Sequence, residues 1–270
     1  MADHHAKLQP IRSLIVDMDG VLYRGTEVIP GTREFLQFLR GRGIRFTLAT
    51  NNATRTPQQF VDKLASMGVL AEPGEILTSA LATAGYLAEI APSGARVFVV
   101  GQDGLRAAVR DKGFALVEEN ADYVVAGMDF TICYEDLAQA SLQIRAGARF
   151  IGTNPDKTFP SERGILPGAG SLLAFLEAAS GVEPIIVGKP ETAMMEQAMA
   201  LMDARPGDTA VLGDRLETDI LAGRRAGLLT VLVLSGITDR DTLSGSEYQP
   251  DLIYDDVKDL HAHWKEVLDG

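Results

Sequence analysis

Cysteine is all but absent: Cys133 is the single one in 270 residues. That excludes an intrachain disulfide and a zinc site built on several thiolates, and leaves Cys133 to be read as a buried apolar filler. Histidine is scarce too. The four of them, His4, His5, His261 and His263, lie near the two ends of the chain, which argues against a metal centre built on histidine. Basic charge is in deficit, with 25 Lys and Arg against 37 Asp and Glu and a formal net charge of -12. Such a chain has no cationic surplus with which to displace counterions from nucleic acid, so no nucleic-acid partner is expected. Long apolar runs are missing as well. The stretch Leu228-Leu229-Thr230-Val231-Leu232-Val233-Leu234 is of strand length, far below the roughly 20 residues of a spanning helix, and no membrane partner is expected. Residues 1–10 carry two His and no apolar segment, so they read as a frayed tail and not as a signal peptide, with the cytoplasm as the expected compartment.

What is present is ordinary in bulk and unusual in arrangement. A hydrophobic fraction of 46% with 23% charged residues is that of a soluble globular protein, and 270 residues suffice for two compact units. In Leu14-Ile15-Val16-Asp17-Met18-Asp19-Gly20-Val21 a short apolar run ends in two carboxylates and a glycine. Extended backbone points residues i and i+2 the same way, so Asp17 and Asp19 face one small volume where the strand runs out. Paired carboxylates repel unless a cation neutralises them, which suggests a Mg²⁺ and phosphoryl site. Taken alone, the same four residues read equally well as a turn after a strand.

The pattern then repeats along the chain. Ile44 to Ala49 reads as a strand ending at Thr50-Asn51-Asn52, and Thr56-Pro57-Gln58-Gln59 opens a helix with Thr as cap, Pro in the first helical position and Gln three residues on. Strand and helix alternating over short links predict an α/β fold with a doubly wound, parallel, Rossmann-like sheet. From about residue 78 the rhythm restarts with strands expected near 97–101, 123–128 and 148–153 and helices near 103–112, 135–146 and 169–180, a smaller α/β unit inserted into the first. Pro184 to Pro190 is expected to resume the first sheet. The predicted division is a core of 1–79 and 184–270 with an insert of 80–183, hinged near 78–94 and 181–184.

Ligands of open parallel sheets lie beyond the carboxyl ends of the strands. Asp17 with Asp19, Thr50 with Asn51, Lys189, and Asp214 are four polar groups expected at four such ends, and together they supply the parts phosphoryl transfer requires. Asp17 would be the nucleophile and Asp19 the acid that protonates the leaving alcohol and then the base that activates water. Asp17 and Asp214 would hold Mg²⁺, while the Thr50 hydroxyl, a backbone N–H and the Lys189 ammonium hold the equatorial oxygens. Asp219, one turn into the next helix, would order the metal's waters or pair with Lys189, with Asn52 and Arg215 as lesser supporting candidates. Gly168-Ala169-Gly170-Ser171 is glycine-rich but lacks the Lys of a phosphate-binding P-loop, and reads as a tight turn.

Asp17-Met18-Asp19-Gly20-Val21, Thr50-Asn51-Asn52, Gly188-Lys189-Pro190 and Gly213-Asp214-Arg215-Leu216-Glu217-Thr218-Asp219-Ile220 resemble, in this order, the four motifs of the haloacid dehalogenase superfamily of aspartate-dependent phosphatases. The long insert between the second and third is where one subclass carries a large α/β cap. The second and fourth motifs resemble the branch of nitrophenyl phosphatases, NagD-type nucleotide phosphatases, and phosphoglycolate and pyridoxal phosphate phosphatases. The resemblance implies Asp17 as nucleophile, Asp19 as acid/base and, through its main-chain carbonyl, metal ligand, Asp214 as metal ligand, and Thr50, Asn51 and Lys189 as the phosphate grip. It also implies a specificity loop in the cap, expected in Thr153 to Pro160 or the adjoining Gly164 to Gly170 turn, with Asn154 and Asp156 placed to touch a polar leaving group.

The expected activity is Mg²⁺-dependent hydrolysis of small soluble phosphate monoesters through an aspartyl phosphate. A phosphotransferase or mutase of the same fold is the alternative, since water and a sugar hydroxyl attack the same intermediate. A phospho-accepting, receiver-like module is the rival from another class, and it needs neither Asp19 nor a domain-sized lid. A homodimer is left open.

Overall fold

The computed structural model describes residues 6–161 and 163–270; His4, His5 and the first half of the stretch read as a tail lie outside them. Leu8, within the stretch read as frayed, is 0% exposed, and Ile11 just past it is 2% exposed, so apolar anchors tie the chain down there. In chain order the strands are β1 (Ser13–Val16), β2 (Tyr23–Arg24), β3 (Glu27–Val28), β4 (Arg45–Thr50), β5 (Ile76–Thr78), β6 (Arg96–Val100), β7 (Ala115–Leu116) and β8 (Tyr123–Ala126). They continue with β9 (Arg149–Gly152), β10 (Thr158–Ser161), β11 (Gly164–Pro167), β12 (Ile185–Ile186), β13 (Thr209–Gly213), β14 (Leu229–Val233) and β15 (Leu252–Tyr254). The chain divides into two compact units: one takes the residues up to Thr50, Val61–Leu77 and Pro190–Gly270, the other Asn51–Phe60 and Thr78–Lys189.

In the first unit six strands run in the order β15-β14-β13-β1-β4-β5. β1 pairs parallel with both β13 and β4, and β14 and β15 extend the parallel array. Ser13-Leu14-Ile15-Val16 is buried at every position, as a central parallel strand covered on both faces must be. Strand order reverses at β1, with β4 and β5 to one side and β13, β14 and β15 to the other, so β1 is the topological switch point. Phe35, Leu36 and Leu39 of the helix Thr32–Gly41 are buried, and Met194, Met195, Met199 and Met202 fill the core around the helix Ala193–Leu201.

The second unit is a sheet in the order β12-β9-β8-β6-β7, with parallel pairing throughout. Phe98, Val100, Val124, Ile144, Phe150, Leu173 and Leu176 form its core. Thr56 and Gln59 cap the helix Pro57–Ser66 reciprocally, the Gln59 backbone N–H donating to the Thr56 hydroxyl oxygen at 3.3 Å and the Thr56 backbone N–H donating to Gln59 Oε1 at 2.8 Å. The expected start signal is thus realised.

Three expectations are corrected here. Ile185–Ile186 does not resume the first sheet; it pairs parallel with Ile151–Gly152 as the edge of the second. The middle of the first sheet is already filled, β1 having a neighbour on each side, whereas β9 has an open edge that two residues suffice to cover. Thr158–Ser161 and Gly164–Pro167, in stretches read as loop and turn, pair antiparallel as β10 and β11. Cys133 is exposed, at the start of the helix Tyr134–Arg145, where its N–H is held by Asp136 Oδ2 at 2.9 Å.

Candidate active site

At the carboxyl end of β1, Asp17 continues the ladder: its N–H donates to the Leu212 carbonyl at 2.8 Å, so the residue stays locked to β13. Asp214 follows β13 immediately and is 2% exposed. One carboxylate oxygen from each of Asp17, Asp214 and Asp219 lies within 4.8 Å of the others. Asp219, expected to order the metal's waters or pair with Lys189, stands beside the other two in this carboxylate group. It is 1% exposed, and Oδ2 accepts from the Arg215 N–H at 3.2 Å and the Thr218 hydroxyl at 3.4 Å. These bonds arise because Leu216–Ile220 is a wide π-type turn, with the Asp219 and Ile220 N–H groups both on the Arg215 carbonyl, leading into the helix Leu221–Arg225.

Glycines make the approach possible. Gly20 has φ +86, and a Cβ there would come within 2.6 Å of Asp214 Cγ. A Cβ on Gly236 would fall inside the Asp214 carboxylate, and one on Gly213 inside the Asp219 side chain. The Ile237 N–H donates to Asp214 Oδ2 at 2.7 Å, and the Ser235 hydroxyl donates to the Gly20 carbonyl at 2.7 Å, so the loop after β14 wraps the DxDG turn. Three carboxylates this close, two of them buried and one half-buried, repel one another, and hard anionic oxygens on a rigid frame are the donor set that Mg²⁺ takes. The chain fits that ion.

Asp19 keeps a solvent-facing edge. Crowding by the surrounding protein raises its carboxyl above the ordinary value, against the Lys63 and Arg215 charges and the N–H groups of Gly25 and Gly20. A carboxyl held protonated longer than usual suits a proton donor. The Lys63 ammonium sits 3.8 Å from the centroid of the buried Tyr23 ring. Thr50, 7% exposed, ends β4 beside β1. Arg215 begins the π-type turn and is half-buried.

In the second unit Lys189 is 3% exposed, so it is no solvated loop lysine. Asn51 Nδ2 donates to the Lys189 carbonyl at 2.9 Å and to Asp156 Oδ2 at 3.2 Å. Asn154, 4% exposed, donates to the Asn51 carbonyl at 2.7 Å. Asn52 is an exposed turn former whose Oδ1 accepts from the Thr54 N–H and hydroxyl at 2.9 and 2.7 Å.

Of the four polar strand ends expected in one sheet, Asp17, Thr50 and Asp214 occupy adjacent strands of it, whereas Lys189 follows the last strand of the other sheet. Lys63 and the Ser235-Gly236-Ile237 segment escaped the sequence reading. A small pair, Ser-Gly, just past the apolar run 228–234 was the available signal. Nothing in helical spacing marks Lys63.

Residues 14–115 match a family model described as haloacid dehalogenase-like hydrolase, and residues 186–260 match a second HAD-like hydrolase model. The chain is 42% identical over 243 residues to the 5'-nucleotidase YutF of Bacillus subtilis, covering 90% of this chain and 94% of that one. Its fold is similar to that of a 4-nitrophenylphosphatase from Thermotoga maritima, with a TM-score of 0.91 and 35% identity over 94% of this chain and 98% of the other. It is similar also to a glycerol phosphate phosphatase from Mycobacterium tuberculosis in complex with magnesium, with a TM-score of 0.89 and 36% identity over 96% and 78% of the two chains. The chain belongs to the haloacid dehalogenase-like hydrolases. Among its described residues no helix is long and apolar enough to cross a membrane.

Proposed function

We propose that this hydrolase is a Mg²⁺-dependent phosphomonoesterase of the cytoplasm, acting on small soluble phosphate esters through an aspartyl phosphate on Asp17. The observation that carries the reading is the carboxylate group of Asp17, Asp214 and Asp219 within 4.8 Å, at the end of the switch-point strand and its neighbour. Asp17 and Asp214, with the main-chain carbonyl of Asp19, would hold the ion, and Asp219 would orient its waters. Bound Mg²⁺ supplies the positive charge that lets an anionic nucleophile meet an anionic phosphate.

Asp17 Oδ attacks phosphorus, and the bond from phosphorus to the ester oxygen breaks. Asp19 gives its proton to that oxygen, and the alcohol leaves. The Asp19 carboxylate then takes a proton from water, whose oxygen attacks the same phosphorus and releases inorganic phosphate and a free Asp17. Thr50, Asn51 and Lys189 hold the remaining oxygens as charge redistributes. The relatives are named for three different leaving groups, a nucleoside, nitrophenol and glycerol, which supports the ester class and not one alcohol.

Phosphate release from 4-nitrophenyl phosphate is the direct assay. Mg²⁺-dependent turnover, silenced by EDTA and restored by added Mg²⁺, is expected; turnover that persists without metal would overturn the role of Asp214. Asp19→Asn separates leaving groups. The variant is expected to lose about 10²- to 10⁴-fold on glycerol phosphate, whose alkoxide needs a proton, and far less on nitrophenyl phosphate. Equal losses on the two esters count against proton donation by Asp19.

A further inference from the structure

The loop Thr153-Asn154-Pro155-Asp156, read above as a specificity loop, has its polar groups committed to its own unit. Asn154 Nδ2 donates to the Asn51 carbonyl at 2.7 Å and Thr153 Oγ1 at 3.3 Å, and Oδ1 accepts from the Asp156 N–H at 3.2 Å. At 4% exposure, with donor and acceptor both engaged, it has little left to offer a leaving group. Asp156 Oδ2 accepts from Asn51 Nδ2, and that same amide donates to the Lys189 carbonyl. The contacts form a chain: Asn154 holds the main chain of Asn51, Asp156 aims its side chain, and that side chain holds the main chain of Lys189.

The glycines around the loop fit this role. A Cβ on Gly188 would run into the Thr153 carbonyl and lie 2.8 Å from Asn51 Oδ1, so Lys189 is delivered by a residue that must lack a side chain. Cβ atoms on Gly168 and Gly170 would run into the Asp156 and Pro155 carbonyls, and the Gly170 N–H donates to the Asp156 carbonyl at 2.9 Å. The Gly168-Ala169-Gly170 run is therefore the seat on which the loop rests, at the start of the helix Ala169–Ser180.

We propose that Asn154 and Asp156 are positioning residues for the phosphate grip, fixing Asn51 and Lys189 in one arrangement, and not readers of the leaving group. The proposal rests on the phosphatase reading for the role of Lys189. Its consequence is that damage to the loop is felt by the phosphoryl group, common to all substrates, and not by the alcohol.

The test uses the full chain with Mg²⁺ and the variants Asn154→Asp, which keeps the shape but loses the donor, Asp156→Ala, and Asp156→Asn, which keeps an acceptor. Expected for the first two is a loss of about ten- to a hundredfold in kcat/KM, by one common factor for nitrophenyl phosphate, glycerol phosphate and a nucleoside monophosphate. Calorimetric affinity for inorganic phosphate should weaken by a similar factor, and Asp156→Asn should recover most of both. Factors that differ more than tenfold between substrates, with phosphate affinity unchanged, would make the loop a leaving-group reader. Unchanged kinetics and affinity, phosphate weakening without rescue by Asp156→Asn, or no phosphate binding by the wild type would each also overturn the proposal. Hydrolysis by the unaltered chain tests the phosphatase reading separately, because phosphate binding is scored without turnover. Cooperative thermal unfolding of each variant shows that the fold is intact.

Discussion

Asp17→Asn should lower kcat by at least about 10⁴-fold, roughly 5.5 kcal/mol of barrier, while leaving thermal stability equal or slightly higher. The two halves of this expectation have different causes. An amide has no anionic oxygen with which to attack phosphorus, so the covalent step is lost and not merely slowed. The same exchange removes one negative charge from a group whose other members, Asp214 and Asp219, are 2% and 1% exposed, and like charges at such separations oppose folding when no cation is present. Shape is conserved, and the Asp17 N–H to Leu212 bond belongs to the backbone, so β1 keeps its register with β13. Phosphate release under single-turnover conditions and thermal unfolding in EDTA measure the two halves. Wild-type turnover by the variant would remove the nucleophile assignment. A large fall in unfolding temperature would show that Asp17 holds the fold together and that lost activity reports unfolding.

Much of the first unit was legible because its strands are buried on both faces, and burial on both faces writes an uninterrupted apolar run into the chain. Leu14 to Val16 and Ala210 to Leu212 are of this kind, and each run gives way to an acid of the carboxylate group, Asp17 directly and Asp214 after Gly213. The helix Pro57–Ser66 was legible for another reason, since its capping residues act only on their own neighbours. Pairing between distant segments was less legible. Pro184 to Lys189 carries an apolar core that suits either sheet, and its partner is decided by which edge is open in space. The hairpin β10–β11 left no alternating pattern because β11 is almost wholly outside the core, with Ile165 77% exposed. Lys63 and Gly236 matter through what stands across from them, Asp19 in one case and Asp214 in the other, and neither neighbour is near in sequence.

Gly236→Ala carries the second large effect, and it isolates close approach from backbone strain. Gly236 lies outside the left-handed region, so alanine can adopt its backbone conformation, unlike at Gly20 with φ +86. On unfolded-chain entropy alone the change should stabilise by about 0.4–1 kcal/mol. The added methyl, however, would occupy the space of the Asp214 carboxylate, which the Ile237 N–H holds at 2.7 Å and which Gly20 confines from the other loop. Either the carboxylate turns away or the 235–238 segment lifts, and in both cases Asp214 no longer meets Asp17 and Asp219. The Mg²⁺ concentration for half-maximal activity should rise about 10- to 100-fold, the range seen when groups that orient metal ligands are removed. Gly41→Ala, at the end of the helix Thr32–Gly41 with open space around it, should leave that concentration unchanged. A metal titration of the two variants against wild type decides the matter. If Gly236→Ala keeps the wild-type midpoint, the Asp214 carboxylate does not need the position it occupies here, and the ligand set drawn from it has to be abandoned.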